Sequence, residues 1–377
     1  MTLTPHQHDA VTARGQDVCV VAGPGSGKTR VLIARFRWLV EEERLDPRRI
    51  LAITFTEKAA TEIKKRLVET FEGRPDLRAE IERAWVSTIH GFCARLLKDH
   101  AISAGLDPEF VVLDGNEAPG GLEEAAVATL DRILIEDGDR LRALLSRLYV
   151  SSDPNGRQPD LAQALIDVYE AMRVAGKSPG ELRAAAAAAA TGSSLEDVCG
   201  AVRRYLAGAS GGGSEAQRRR VNELRAWLAA AEAGADPFRA LASFPCKFQG
   251  LRAGNPYYDE MKPLRDEAIP AVKAVLIARR NAAEYDLLIG AVRRIDAAWR
   301  ERKREMGALD FADLEEAAIQ LLREEPEVAG RVRARFDAIL MDELQDTNPL
   351  QWTLVDLLRR PGRFFAVGDV NQSIFGF

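Results

Sequence analysis

A chain of 377 residues is long enough to bury two or three cores, and 46% hydrophobic with 29% charged residues reads as soluble and globular, neither disordered nor membranous. A formal net charge of −5 excludes no partner class, since a nucleic-acid surface can be a local patch on an acidic protein. No apolar run approaches the roughly 18 residues of a spanning helix, no basic-then-apolar leader opens the chain, and Cys19, Cys93, Cys199 and Cys246 form no C-x-x-C pair, so the expectation is a cytoplasmic chain with reduced cysteines and neither zinc nor disulfide framework.

Thr4 and Pro5 open a helix as N-cap and first helical residue. Gln7 lies in that helix and on local evidence is an ordinary surface residue. The apolar run Val18 to Val21 predicts a strand, and a helical pattern resumes at Arg30. Between them lies Ala22-Gly23-Pro24-Gly25-Ser26-Gly27-Lys28-Thr29, which meets the pattern G-x-x-x-x-G-K-[ST] with Ala22 at its first position. Strand, glycine-rich turn and helix are what a phosphate-binding loop needs. Glycines let consecutive backbone N–H groups converge on phosphates, Lys28 reaches the β and γ phosphates, and Thr29 can ligate Mg²⁺ where the helix dipole favours anions.

A second strand is predicted over Arg49 to Phe55, flowing through Thr54-Phe55-Thr56 into a helix from Glu57 to Leu67. Open α/β sheets bind ligands at that end of a strand; a capped helix start with a core Phe fits the same residues. Ala84 to Ile89 predicts a third strand, followed by His90, for which a packed or hydrogen-bonded histidine is the plain alternative to a functional one. From 101 to 305 helical spacing dominates, with an alanine run from Ala184 to Ala190 and loops at Ser210 to Ser214 and Phe244 to Pro256. A long helical pattern from Ala268 ends in the basic stretch Trp299 to Arg304, read as a solvated face or a phosphate contact. The sheet then resumes. Arg335 to Met341 is a buried-strand pattern ending in Asp342-Glu343, Asn348-Pro349 caps a helix over Leu350 to Arg359, and Arg363 to Gly368 is a last strand ending at Asp369.

A buried strand ending in Asp-Glu, beside a phosphate loop, suits ATP hydrolysis: Asp342 holds Mg²⁺ through its water shell and Glu343 orients or deprotonates the attacking water. Strand alternation is expected to point the two carboxylates in different directions. Gln372, just past the last strand, could sense the γ-phosphate, while Phe375 and Phe377 offer base-stacking faces or core packing.

The segments AGPGSGKTR, ITFTEKAATEIKKRL, STIHGFCARLL, DFADL, ILMDELQDTNPLQ and VGDVNQSIF, in this order, resemble superfamily 1 DNA helicases of the UvrD/Rep/PcrA type, with wording closer to the AddA/RecB branch in STIHGFC and VGDVNQSIF. They cover about the first and last quarters of the chain. The resemblance implies an α/β fold: a RecA-like P-loop domain with a parallel sheet, formed by residues 1–100 and 306–377, carrying a large, mostly helical insertion over 101–305. It implies an adenine contact at Gln7, phosphate and Mg²⁺ contacts at Lys28, Thr29 and Arg30, and a metal-binding and water-activating pair at Asp342 and Glu343. Gln345 and Gln372 match positions around the γ-phosphate, and Phe55, Thr56, Thr88, His90, Phe375 and Phe377 match positions that contact or stack on single-stranded DNA. Three positions depart from the pattern: Glu57 stands where Asn is common, Gly376 where Arg is frequent, and Phe375 replaces a usual Tyr.

The family also uses a second RecA-like domain with arginine fingers, which has no counterpart before Phe377. Such a finger is commonly worth about 10³ to 10⁵ in rate, so the expectation is a piece of a longer protein or a split gene product, slow alone. The implied partners are ATP with Mg²⁺, single-stranded DNA and duplex junctions, that second domain, and a partner subunit if the AddA/RecB branch is right. A nucleotide-gated DNA-binding module without turnover is the rival reading. A P-loop kinase or transporter ATPase leaves STIHGFC and VGDVNQSIF without a purpose.

Overall fold

The computed structural model describes residues 3–113, 117–150, 160–208, 215–245, 247–248 and 252–369. In chain order the first part contains α1 (Pro5–Thr12), β1 (Val18–Val21), α2 (Lys28–Glu41), β2 (Ile50–Thr54), α3 (Glu57–Thr70), α4 (Pro75–Glu82), β3 (Trp85–Thr88), α5 (Ile89–Asp99), α6 (Ala101–Ala104) and the short β4 (Val111–Val112). A run of helices follows: α7 (Glu117–Glu136), α8 (Gly138–Val150), α9 (Leu161–Val174), α10 (Pro179–Ala189), α11 (Leu195–Gly208), α12 (Glu215–Glu232), α13 (Pro237–Ala242), α14 (Pro256–Pro263), α15 (Ile269–Arg280) and α16 (Ala282–Glu305). The chain closes with β5 (Ala308–Leu309), α17 (Phe311–Glu324), α18 (Pro326–Arg335), β6 (Ala338–Met341), α19 (Pro349–Leu358) and β7 (Phe364–Gly368).

Five strands form one parallel sheet in the order β1-β7-β6-β2-β3, with Val18 opposite Phe365, Ile339 opposite Phe364 and Leu51 opposite both Ile339 and Trp85. Alternate residues of the inner strands serve opposite faces, as the pleat requires. Leu51, Ile53, Ile339, Met341, Phe364 and Ala366 pack in the core that holds side chains of α5, α17, α18 and α19. Ile50, Ala52, Ala338, Leu340, Phe365 and Val367 pack in the core that holds side chains of α1 to α4. Burial on both faces explains why β2, β6 and β7 read as unbroken apolar runs. A separate two-stranded parallel sheet pairs β4 with β5.

Two compact units emerge: one comprises Met1–Ala128, Ile166–Lys177 and Ile295–Phe377, the other Thr129–Leu165 and Ser178–Arg294. The first therefore takes in residues of 101–305 that the motif spacing assigned to the insertion. The second is helical, and its core gathers Val198, Val202, Leu224, Trp227, Tyr257, Met261 and Val272. There the Trp227 indole donates to the Ala240 carbonyl at 2.7 Å. No helix among the described residues is long and apolar enough to cross a membrane.

The helical pattern from Ala268 is interrupted at Asn281, whose side-chain amide donates to the Ile277 carbonyl at 2.9 Å and closes the preceding helix. The basic end of α16 is not simply a solvated face. Trp299 and Lys303 are buried in the first unit, where Arg173 of α9 donates to Asp310 (3.2 Å), Asp313 (2.9 Å) and Glu316 (2.8 Å). Lys303 pairs with Asp310 and Asp313, and the Trp299 indole donates to Asp310 at 3.1 Å. These contacts surround the N-cap of α17, where Asp310 and Asp313 form a reciprocal capping box. The alanine run lies in α10, which buries no residue, consistent with a helix favoured by propensity. The predicted loop at Ser210 to Ser214, and residues 246 and 249–251 of the loop from Phe244, lie outside the described residues.

Candidate nucleotide and nucleic-acid site

The turn between β1 and α2 starts as the Ala22 N–H donates to the Gly368 carbonyl of β7 at 2.9 Å. Gly25 and Gly27 take φ of +72° and +85°, a left-handed conformation that a side chain would strain. Such turns let backbone N–H groups face inward and cup an anion. The hydroxyl of Ser26 donates to the Gly23 carbonyl at 2.6 Å, and the Val31 N–H to the Gly27 carbonyl at 3.0 Å, so the loop runs straight into a helix start. Thr4 caps α1, as the Thr4-Pro5 signal predicts, and Gln7 completes a capping box with it. The Gln7 amide also donates to the Ser26 carbonyl at 3.1 Å, while its oxygen accepts from the Arg30 guanidinium at 3.4 Å. Gln7 thus ties α1 to the loop.

The carboxylate pair stands beyond the end of β6. Asp342 is 3% exposed, its N–H donates to the Ile53 carbonyl at 2.9 Å, and its carboxyl lies near the Thr29 hydroxyl, which favours the ionised form. Burial, reinforced by the Glu343 carboxylate, pushes the Asp342 carboxyl up to about 6. A carboxylate starved of solvent and set near the phosphate-loop hydroxyl of Thr29 suits a divalent cation, so Asp342 and Thr29 fit Mg²⁺. The strand ends at Met341 and Glu343 lies beyond it at φ +52° and ψ +46°, so pleat alternation does not set the directions of these two carboxylates. A left-handed conformation at a non-glycine residue costs of order 1–3 kcal/mol and tends to cluster at functional sites.

The Glu343 side chain lies 3.2 Å from the Lys28 ammonium, which is also 4.0 Å from Asp369 at the end of β7. Gln345 completes the cluster: its amide donates to Glu343 at 2.7 Å and its oxygen accepts from the Asp369 N–H at 2.8 Å. The structure therefore gathers Gln7, the loop from Ala22 to Thr29, Arg30, Asp342, Glu343 and Gln345 at one end of the sheet. Gln372, Phe375 and Phe377 lie outside the described residues.

At the same ends of β2 and β3 sit the other predicted residues. Phe55 is half-buried against the core that holds α5 and α17. Thr56 caps α3 through the Ala59 N–H at 3.1 Å. Thr88 caps α5 through the Gly91 N–H at 3.0 Å and donates its own proton to Glu57 at 2.8 Å. The unusual Glu57 is thus an acceptor for Thr88. His90 stacks on Phe311, ring centroids 4.3 Å apart and planes 15° from parallel, and its Nε2 meets the Glu315 carboxylate at 2.9 Å.

Asp369, Phe311 and Glu315 have no assigned role in the sequence reading. A local signal existed for Glu315: it is a carboxylate among the apolar positions Leu314, Ala318, Ile319 and Leu322 of an amphipathic helix. For Asp369 the signal was its place directly after a fully buried strand.

Residues 3–377 match the family described as UvrD/REP helicase N-terminal domain. The chain is 30% identical to an ATP-dependent helicase/nuclease subunit of Geobacillus thermodenitrificans over 99% of its own length and 35% of the relative's. Against the subunits of the same description from Syntrophomonas wolfei and Moorella thermoacetica, identity is 30% and 31% over 99% of the chain, covering 34% and 31% of each relative. The chain spans about a third of the length of these relatives.

Proposed function

Since this chain belongs to the UvrD/REP helicase N-terminal domain family, we propose that it is the nucleotide-binding, DNA-gripping N-terminal part of an ATP-dependent DNA helicase or translocase acting in DNA repair or recombination. The observation that carries the reading is the meeting of Lys28, Thr29, Asp342 and Glu343 at one end of the parallel sheet. In this reading the RecA-like domain is formed by residues 1–100 and 306–377 and the helical insertion by 101–305. Single-stranded DNA runs over Phe55, Thr56, Thr88, His90, Phe375 and Phe377, and Gln372 senses the γ-phosphate. The names of the relatives further support a nuclease-bearing helicase that works with a partner protein, like the AddA/RecB branch.

Lys28 is the pivot. Its charge is balanced by Glu343 at 3.2 Å. An incoming γ-phosphate competes for the ammonium and releases Glu343, still held by Gln345, to take a proton from water. Thr29 and Asp342 would hold Mg²⁺, which neutralises charge on the β and γ oxygens when bound. Gln7 and Arg30, joined to each other and to the loop, border the place for the base.

Fluorescent-nucleotide titration and steady-state turnover test the assignment. Lys28→Ala is expected to weaken Mg-ATP binding by at least about tenfold, the scale of a lost charge-assisted contact. Glu343→Gln is expected to bind ATP but lose the slow, DNA-stimulated hydrolysis. Equal affinity of parent and Lys28→Ala sinks the phosphate site, and undiminished hydrolysis in Glu343→Gln sinks its role as base. If the parent binds DNA and nucleotide with no turnover at all, the chain acts as a gated binding module.

A further inference from the structure

One buried carboxylate of the first unit takes no part in the nucleotide cluster. Glu315 of α17 is 3% exposed, and a single oxygen, Oε1, accepts from Gln351 of α19 at 2.7 Å and lies 2.9 Å from Nε2 of His90 on α5. A lone buried carboxylate is costly, so these two partners hold it in place. They also restrain the histidine. Parallel stacking on Phe311 at 4.3 Å sets the plane of the His90 ring, and the bond at Nε2 sets its rotation within that plane. Because an ionised carboxylate only accepts, the contact requires the proton on Nε2. The second ring nitrogen, Nδ1, is then the one left for a nucleic-acid ligand.

We propose that Glu315 is a positioning residue for the DNA contact at His90: through its buried Oε1 it keeps the imidazole in the Nε2–H form and in one orientation, with Nδ1 presented to the single strand. The assignment rests on the DNA-binding reading given above. It touches neither the nucleotide nor DNA through Glu315 itself.

The test uses the 377-residue chain with a labelled oligothymidine, together with nitrogen-detected NMR of the histidine rings, the His90 signals being identified by their loss in His90→Ala. The parent is expected to show His90 as the Nε2–H tautomer. Glu315→Ala should convert it to a mixture and weaken oligothymidine binding about tenfold, as His90→Ala does, while the double variant is no weaker than His90→Ala alone. Glu315→Gln, whose Oε1 can still accept both bonds, should restore binding to within about twofold of the parent. A parent His90 protonated at Nδ1 alone overturns the proposal, and needs no variant that folds. So does a Glu315→Ala loss that persists in full in the His90→Ala background, since Glu315 would then act through the fold. A parent that does not bind the oligonucleotide overturns the DNA reading and this assignment with it. Binding that is intact and ignores Glu315 overturns this assignment alone.

Discussion

Asp342 is a buried carboxyl with a second carboxylate beside it. Its carboxyl is pushed up to about 6 by burial and by Glu343. A folded-state value above the unfolded one means that the native protein binds the extra proton, so stability falls as pH rises from about 4 to about 6 and stays lower above it. A displacement of that size corresponds to about 3 kcal/mol at most. In Mg²⁺-free buffer the parent is therefore expected to melt lower at pH 7 than Asp342→Asn, which keeps the acceptor for the Glu343 N–H without the charge. The gap should close near pH 4, and a gap of constant size from pH 4 to 7 would remove the charge as its cause. Asp342 and Glu343 were legible in the sequence because the strand-to-carboxylate pattern is local. The contacts of Asp369 and Glu315 were not: Lys28 meets Asp369 across 341 residues of chain, and Glu315 meets His90 across 225. Spacing cannot show such pairs.

Among the elements, the N-terminus of α17 carries the densest electrostatics. Although burial opposes it, Arg173 and Lys303 hold the Asp310 carboxyl at about 2. Its contribution to stability is therefore present above about pH 4 and lost as pH falls toward 2. Breaking such a buried pair from one side leaves an uncompensated charge, at a typical cost of about 3–5 kcal/mol. Arg173→Met is expected to destabilise by that order in urea unfolding at pH 7. A loss below about 0.5 kcal/mol would reduce the network to the weight of exposed surface pairs. The DFADL wording marked this segment by resemblance, but its physical role as a helix cap needed Arg173, 137 residues away from Asp310. The strands were more legible. The expected runs at 49–55, 84–89, 335–341 and 363–368 contain β2, β3, β6 and β7; β2, β6 and β7 are buried on both faces and so leave near-continuous apolar stretches. Of residues 335–337, Arg335 ends α18, while Phe336 and Asp337 link it to β6. The two-residue strands β4 and β5 left no pattern to read.

At the scale of the molecule, the loop, Asp342, Glu343 and Asp369 belong to one compact unit, while the helices around Val198, Trp227 and Val272 have a core of their own in the other. Ligand binding stabilises the states that bind and leaves unlinked equilibria alone; one site filled to 100 times its dissociation constant contributes about 2.7 kcal/mol. Local opening free energies, read by amide hydrogen exchange, show where that stabilisation is felt. Mg-ATP is expected to slow exchange in the turn from Ala22 to Thr29, in the N-terminal turn of α2 and around Asp342 to Gln345. Exchange in α11, α12 and α15 should remain unchanged. Lys28→Ala should abolish the protection at equal nucleotide concentration, because the ammonium that pairs with Glu343 is the group a γ-phosphate would take over. Protection spread equally over both cores would mean that the nucleotide acts on one cooperative body, and the separate helical core would then have no thermodynamic independence.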